Sequence, residues 1–548
     1  MMTHHRTVSI WLAAIALGMA ACDSEKIEVA SAAGRPLIAG LGEYSMPITT
    51  RSPLAQKYFD QGLRLVYAFN HPEAVRAFEA AEKVDSGCAM CAWGAALARG
   101  PNINALMEAA DVAPAVAAVE RAQVRAAGTT PREQAYIAAL ASRYSAAADA
   151  DRAALDRAYA EQMRALAALY PDDLDAQTLA AEAVMDLTPW DYWTKDGEPK
   201  PTTAEIVALL EGVLKRDPNH PGANHYYIHA VEASRDPGRA LPSAKRLETL
   251  ATSAGHLVHM SAHTYMRVGQ YADASRANER GALADEEYMT WCRSGGSYVM
   301  AYYPHNLHFL WASESMEGRS AAAIATARKL AAQLPPEAVR GVPPAQELAP
   351  VIYYALVRFG RWDEVLAEVA PPEDLHYSQG MWHYARGMAF AAQGELEPSR
   401  AEQASVAAIA GEDAMQKLAF LEGSGAQLLE IASAVLAAEI AEREGKHDLA
   451  LAELEKAKQV EHALAYVEPP PWYFPVRQVQ GSALLSMGKP AQAEVVFRED
   501  LVVYPENGWS LFGLAQSLRA QGKPSDAEQS RYEKAWAAAD VKLEKPRF

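Results

Sequence analysis

The sequence predicts an all-α protein built as an array of repeated helix pairs, and three observations carry that prediction. Alanine is abundant along the whole chain while Val, Ile and Thr are sparse, a balance that favours helix over strand. Near the C-terminus Gly481, Gly488, Ala493, Phe497 and Pro505 stand at offsets 0, 7, 12, 16 and 24, and small residues return 34 positions later at Ala515, Gly522 and Ala527. Near the N-terminus Gly62, Ala74, Phe78 and Ala81 repeat the offsets 0, 12, 16 and 19. Composition narrows the function classes as well. With 548 residues, 50% of them hydrophobic, and a net charge of −18, the chain is neither disordered nor a multispan membrane protein. Its 51 basic against 69 acidic residues argue against a nucleic-acid partner, which calls for a positive footprint.

The small, small, aromatic, proline spacing resembles the tetratricopeptide repeat, two antiparallel helices in 34 residues, so the expected fold is a tetratricopeptide-repeat solenoid. Small residues let helices cross closely, the aromatic fills the gap, and proline ends the second helix. The segment Gly269-Gln270-Tyr271-Ala272-Asp273-Ala274 is the inter-helix turn of that pattern, and weaker copies occur at Arg358 to Trp362, Gly394 to Leu396 and Gly445 to Ala450.

Taken in chain order, the first element is an address. An apolar run from Val8 to Ala21 follows Arg6, too short to span a bilayer but suited to a signal-peptide core over residues 1–21. It ends Met19-Ala20-Ala21-Cys22, which resembles the bacterial lipobox. That resemblance implies cleavage before Cys22, lipid on its sulfur, a membrane anchor, a tether over residues 22–48, and a place on the periplasmic side of a bacterial cell envelope. Polar or Pro-rich breaks at Thr194–Thr203 and Leu334–Pro350 then divide the body into an N-terminal block (49–193), a central block (204–333) and a C-terminal block (351–548). In a solenoid each repeat contacts its neighbours, so these are soft boundaries.

In the N-terminal block, Cys88-Ala89-Met90-Cys91 is a CxxC without a following His, which argues against covalent haem, and no second CxxC exists for a zinc ribbon. In an oxidising compartment Cys88 and Cys91 are candidates for a structural or redox-active disulfide. Cys292 has no evident partner in the sequence.

The central block carries the chemistry. Of fifteen histidines, eight fall between His220 and His308: His220, His225, His229, His256, His259, His263, His305 and His308. With Gly269 and Gly318 set at repeat position 15, His256, His259 and His263 take positions 2, 5 and 9 of one first helix, and His305 and His308 positions 2 and 5 of the next. His225, His229 and Glu232 take positions 5, 9 and 12 of the preceding one. In tetratricopeptide folds those positions line the concave groove, so the resemblance implies one His-rich trough. The i, i+4 and i, i+3 spacings put each pair on one helix face, and neutral imidazole ligates Zn, Cu or Fe. His225, His229, His259 and His263 are the expected metal ligands, with Glu232, His305 and His308 completing the set or moving protons. Such a centre suits hydrolytic or oxidative chemistry. The alternative is a metal-free scaffold whose trough holds a peptide or protein partner. His220, in a Pro-flanked loop, reads as structural. There is no zincin motif, phosphate-binding loop or nucleophile elbow.

Phe69-Asn70-His71-Pro72-Glu73-Ala74, Cys88 to Gly94, Gly100-Pro101-Asn102-Ile103-Asn104 and Pro470-Pro471-Trp472-Tyr473 are similar to segments of a widespread group of bacterial exported tetratricopeptide proteins. The resemblance implies the fold and the location, and no reaction.

Overall fold

A computed structural model describes residues 27–30, 35–292, 297–420 and 423–548. The expected signal peptide and lipidated Cys22 lie outside these residues. The described chain is all-helical apart from one antiparallel hairpin, β1 (Ile27–Ala30) with β2 (Arg35–Ile38), and none of its helices is long and apolar enough to cross a membrane.

The N-terminal block holds α1 (Pro53–Tyr67), α2 (His71–Val84), α3 (Ala89–Leu97), α4 (Ala109–Arg125), α5 (Pro131–Ala141), α6 (Arg152–Leu169) and α7 (Leu174–Met185). The central block holds α8 (Thr203–Arg216), α9 (Pro221–Val231), α10 (Leu241–Leu250), α11 (Gly255–Arg267), α12 (Tyr271–Cys292), α13 (Ser297–Met316) and α14 (Ser320–Ala332). Further helices run from Pro336 to Ala535, and most consecutive helices pack against each other.

The repeat signature works as its residue types require. The Phe78 ring sits where a Cβ on Gly62 or Gly94 would lie 2.7 or 2.3 Å from its atoms, and Phe497 is held in the same way between Gly481 and Gly513. Only glycine leaves room for an aromatic wedged between two helix backbones. The inter-helix turn also needs a left-handed residue: Gly269 and Gly318 have φ of 75° and 72°, and Gly360, Gly394, Gly445, Gly488 and Gly522 repeat that conformation.

Two features depart from a simple linear array. The expected tether is attached over its C-terminal part: Leu41 and Met46 are buried, the Tyr44 hydroxyl donates to Asp175 (2.9 Å), and the Met46 amide donates to Asp60. Apolar side chains at alternating positions give this segment a reason to adhere. The array also closes on itself, whereas a solenoid was expected to contact its neighbours alone. The Trp509 indole donates to the Ser315 carbonyl, and Asp540 accepts from the Ser320 and Ala321 amides at 2.7 and 2.9 Å. Arg547 pairs with Glu442 at 2.6 Å. One hydrophobic core runs from Leu41 to Leu543, so the three blocks share an interior.

Candidate metal centre

Helices α9, α11 and α13 are the first helices of three successive pairs, and they lie side by side as the repeat register requires. Proline at the start of α9 and the His220 cap fix where that helix begins: His220 Nδ1 accepts from the Ala223 amide at 3.1 Å, which makes His220 structural. Gly222 in the first turn lets Tyr67 approach, since a Cβ there would lie 2.4 Å from its ring. That approach brings the Tyr67 carbonyl to the next turn of α9.

The ring nitrogens fall into two triads. His225, His229 and His256 form one, His259, His263 and His305 the other, and within each the facing donor atoms lie within 4.8 Å of one another. His225, His229, His256, His259 and His263 are all at most 2% exposed, and His305 is half-buried at the edge. The triads adjoin: the rings of His229 and His263 are 5.4 Å apart and those of His256 and His259 5.6 Å.

Each of four imidazoles has its Nδ1 held by an acceptor. His225 Nδ1 lies 2.6 Å from the Tyr67 carbonyl, His229 Nδ1 2.9 Å from Glu232 Oε1, His263 Nδ1 2.6 Å from Glu232 Oε2, and His259 Nδ1 2.8 Å from Asn278 Oδ1. Donation from Nδ1 sets the tautomer and leaves Nε2 as a lone pair. The Nε2 atoms of His225 and His229 and both ring nitrogens of His256 have no hydrogen-bond partner among the described residues. Leaving a buried polar atom unpaired costs about 1–3 kcal/mol. In the other triad, Nε2 of His259 and Nε2 of His263 face each other at 3.0 Å. Two lone pairs at that distance repel unless a cation lies between them. Two nitrogens on one ion, each bonded at about 2.0–2.1 Å, stand about 2.9 to 3.5 Å apart as the angle between them opens from about 90° to 120°. The donor set therefore fits a metal ion.

Burial, then the neighbouring His229, holds His225 well below the usual imidazole range, and burial does the same to His256, His259 and His305. Such rings stay neutral and available as ligands. Burial alone would raise Glu232, but the charge and hydrogen bonds of His263 and His229 reverse this and bring the carboxyl to about 2.

Glu232 forms a third group of possible donors with His229 and His263, between the two triads, and its two oxygens accept from the Nδ1 atoms of those rings. One expected ligand takes another position. His308 belongs to none of these groups; one helical turn past His305, its ring stacks on Trp311 at 5.3 Å, and burial lowers it to about 4. His256 joins the first triad, although its position in the register was noticed without its being counted a ligand. Asn278, on the second helix α12, carries no signal in the sequence, because its role depends on a neighbouring helix.

Aromatic rings close the site. Phe69 lies 4.4 Å from His225, and Phe309 lies 4.8, 4.3 and 5.0 Å from His259, His263 and His305. The Trp190 ring meets His229 at 4.9 Å. Phe69 and Trp190 both adopt left-handed backbone, φ 55° and 64°, a conformation costly for bulky side chains and found where a site demands it. Beside the triads lies a cavity of about 680 Å³. Its wall includes His229 from one triad and His305 from the other, with Tyr302, Arg99 and Glu468. Segments around Phe69, Asn102, Trp190, Ala345 and Glu468 roof the trough, so the concave face is occupied by the chain itself.

Cys88 and Cys91 form a disulfide, buried at the start of α3, where Cys88 caps the helix.

No family model and no curated protein matches this chain. Among solved structures, a human IFIT1 dimer with m7Gppp-AAAA aligns over 90% of this chain and 92% of that one, at 11% identity and a TM-score of 0.33. A Naa15/Naa10 structure bound to HypK-THB aligns over 89% of each chain, at 13% identity and a TM-score of 0.22. At these values the likeness carries nothing about ligand or chemistry.

Proposed function

We propose that this protein holds a transition-metal centre in the concave face of a helical-repeat array, and that the adjoining cavity admits a small molecule to it. One observation carries the proposal: buried imidazoles have Nδ1 tied to acceptors, while Nε2 of His225 and His229 is unpaired and Nε2 of His259 and His263 face each other at 3.0 Å. Structural histidines in a core normally find partners for both nitrogens. When bound, the ion would supply Lewis acidity or oxygen-activating chemistry. The chain's own residues orient the ligands, through Glu232, Asn278 and the Tyr67 carbonyl, and Phe69, Phe309 and Trp190 exclude bulk water. A peptide-binding trough without metal is supported less well, because the imidazoles such a peptide would touch are buried beneath the roof.

The test is metal analysis of protein purified without a His tag, after reconstitution with Zn, Cu or Fe. The expected result is stoichiometric metal, lost in the His229→Ala plus His263→Ala variant. Sub-stoichiometric metal in the wild type, or full loading of that variant, would overturn the reading.

The location belongs to the same proposal. The leader and Met19-Ala20-Ala21-Cys22 support a lipid-anchored protein on the periplasmic side of a bacterial envelope, and a disulfide suits an oxidising compartment. Mass spectrometry of the N-terminal peptide checks it: a diacylglyceryl mass on Cys22 is expected, and an unmodified mature Cys22 or an uncleaved leader would refute it.

A further inference from the structure

The six imidazoles are divided, and the division has a consequence for stoichiometry. Each triad draws on two of the three helices: α9 and α11 give His225, His229 and His256, and α11 and α13 give His259, His263 and His305. The triads share no imidazole and have separate aromatic covers, Phe69 over the first and Phe309 over the second. Glu232 spans them, one oxygen on His229 and the other on His263. An ion in the second triad alone would leave Nε2 of His225 and His229 and both ring nitrogens of His256 unpaired. An ion in the first alone would leave Nε2 of His259 and of His263 facing each other at 3.0 Å with no cation between them.

We infer that the centre holds two copper ions, three imidazoles to each, with Glu232 as the common carboxylate behind them. The inference rests on the metal-binding reading above and specifies its ion and its number. The choice of copper follows from the donors and the charge. Neutral nitrogen donors suit copper, zinc and iron, whereas magnesium, calcium and manganese prefer oxygen, so charge decides among the three. The rings are buried, and Glu232 is the one carboxylate hydrogen-bonded to them among the described residues. The desolvation cost of an ion rises with the square of its charge. Two monovalent ions against one carboxylate leave one uncompensated charge; two divalent ions leave three. A low-dielectric N₃ pocket therefore favours cuprous copper over zinc at each position. The cavity reaches both positions, because His229 and His305 are in its wall, so one small molecule in the cavity could meet both ions.

The experiment is anaerobic titration of the full mature chain with Cu(I) against a chromophoric chelator, with X-ray absorption of the loaded protein. Two equivalents per chain are expected, each copper with about three nitrogen neighbours and no sulfur. His225→Ala plus His256→Ala should retain one equivalent, and so should His259→Ala plus His305→Ala, each checked for unchanged helix content. Should either double variant unfold, the wild-type equivalence and the absorption spectrum still decide. One equivalent of metal in the wild type would overturn this inference and leave the metal centre standing. Two equivalents of zinc held in preference to Cu(I) would overturn the choice of copper. No binding of copper, zinc or iron would overturn this inference and the reading beneath it.

Discussion

The position of Glu232 makes its amide variant the sharpest single perturbation of the centre. The carboxylate is 1% exposed and accepts one Nδ1–H from each triad, at 2.9 Å from His229 and 2.6 Å from His263. Glutamine matches its shape but offers one acceptor and one donor group in place of two acceptors. In Glu232→Gln one imidazole keeps its partner while the other faces an N–H. That ring relieves the conflict by carrying its proton on Nε2, which removes the lone pair a metal would use. Loss of an orienting partner of this kind weakens metal binding about 10- to 100-fold, or about 1.4–2.7 kcal/mol. The assay is chelator competition on tag-free protein, with circular dichroism to establish that the helices persist. Affinity within twofold of wild type would refute the orienting role. A loss far beyond a thousandfold, or the disappearance of a whole equivalent, would instead make Glu232 a direct ligand.

Three further outcomes follow from the structure. His308→Ala should leave metal content unchanged, because its ring stacks on Trp311 and belongs to neither triad; an equivalent lost on elemental analysis would return it to the ligand set. Gly513→Ala puts a Cβ 2.2 Å from Phe497 and should lower stability by about 1–3 kcal/mol, read as a reduced melting temperature that Phe497→Leu partly restores. Burial raises Asp285 from 3.8 to about 7, so between about pH 4 and 7 the folded chain holds a proton that the unfolded chain releases, and stability falls as pH rises through that window. Asp285→Asn does not titrate, and its stability relative to wild type should therefore gain roughly 4 kcal/mol from pH 4 to pH 7. Urea melts at both ends of the window check it, and a pH-independent difference would contradict it.

The sequence by itself determined the helical repeat and the neighbourhood of the site. Glycine, alanine and phenylalanine at fixed offsets admit few structures other than close-crossing helix pairs, because Gly62, Gly94 and Phe78 must interlock sterically. The 34-residue return of His225 and His229 at His259 and His263 placed imidazoles on adjacent helices for the same reason, since a repeat carries side chains to equivalent positions. What decided the rest was contact between distant parts of the chain. The Tyr67 carbonyl meets His225 across 158 residues, and Glu232 reaches His263 across 31. Those contacts set which nitrogen of each ring is free and place Glu232 between the two triads, with one oxygen toward each. Closure of the array on itself brings distant segments over the trough and leaves a cavity beside the triads in place of a bare groove. Local spacing fixes which face of a helix a side chain occupies; what that face meets depends on the superhelical path of the whole chain.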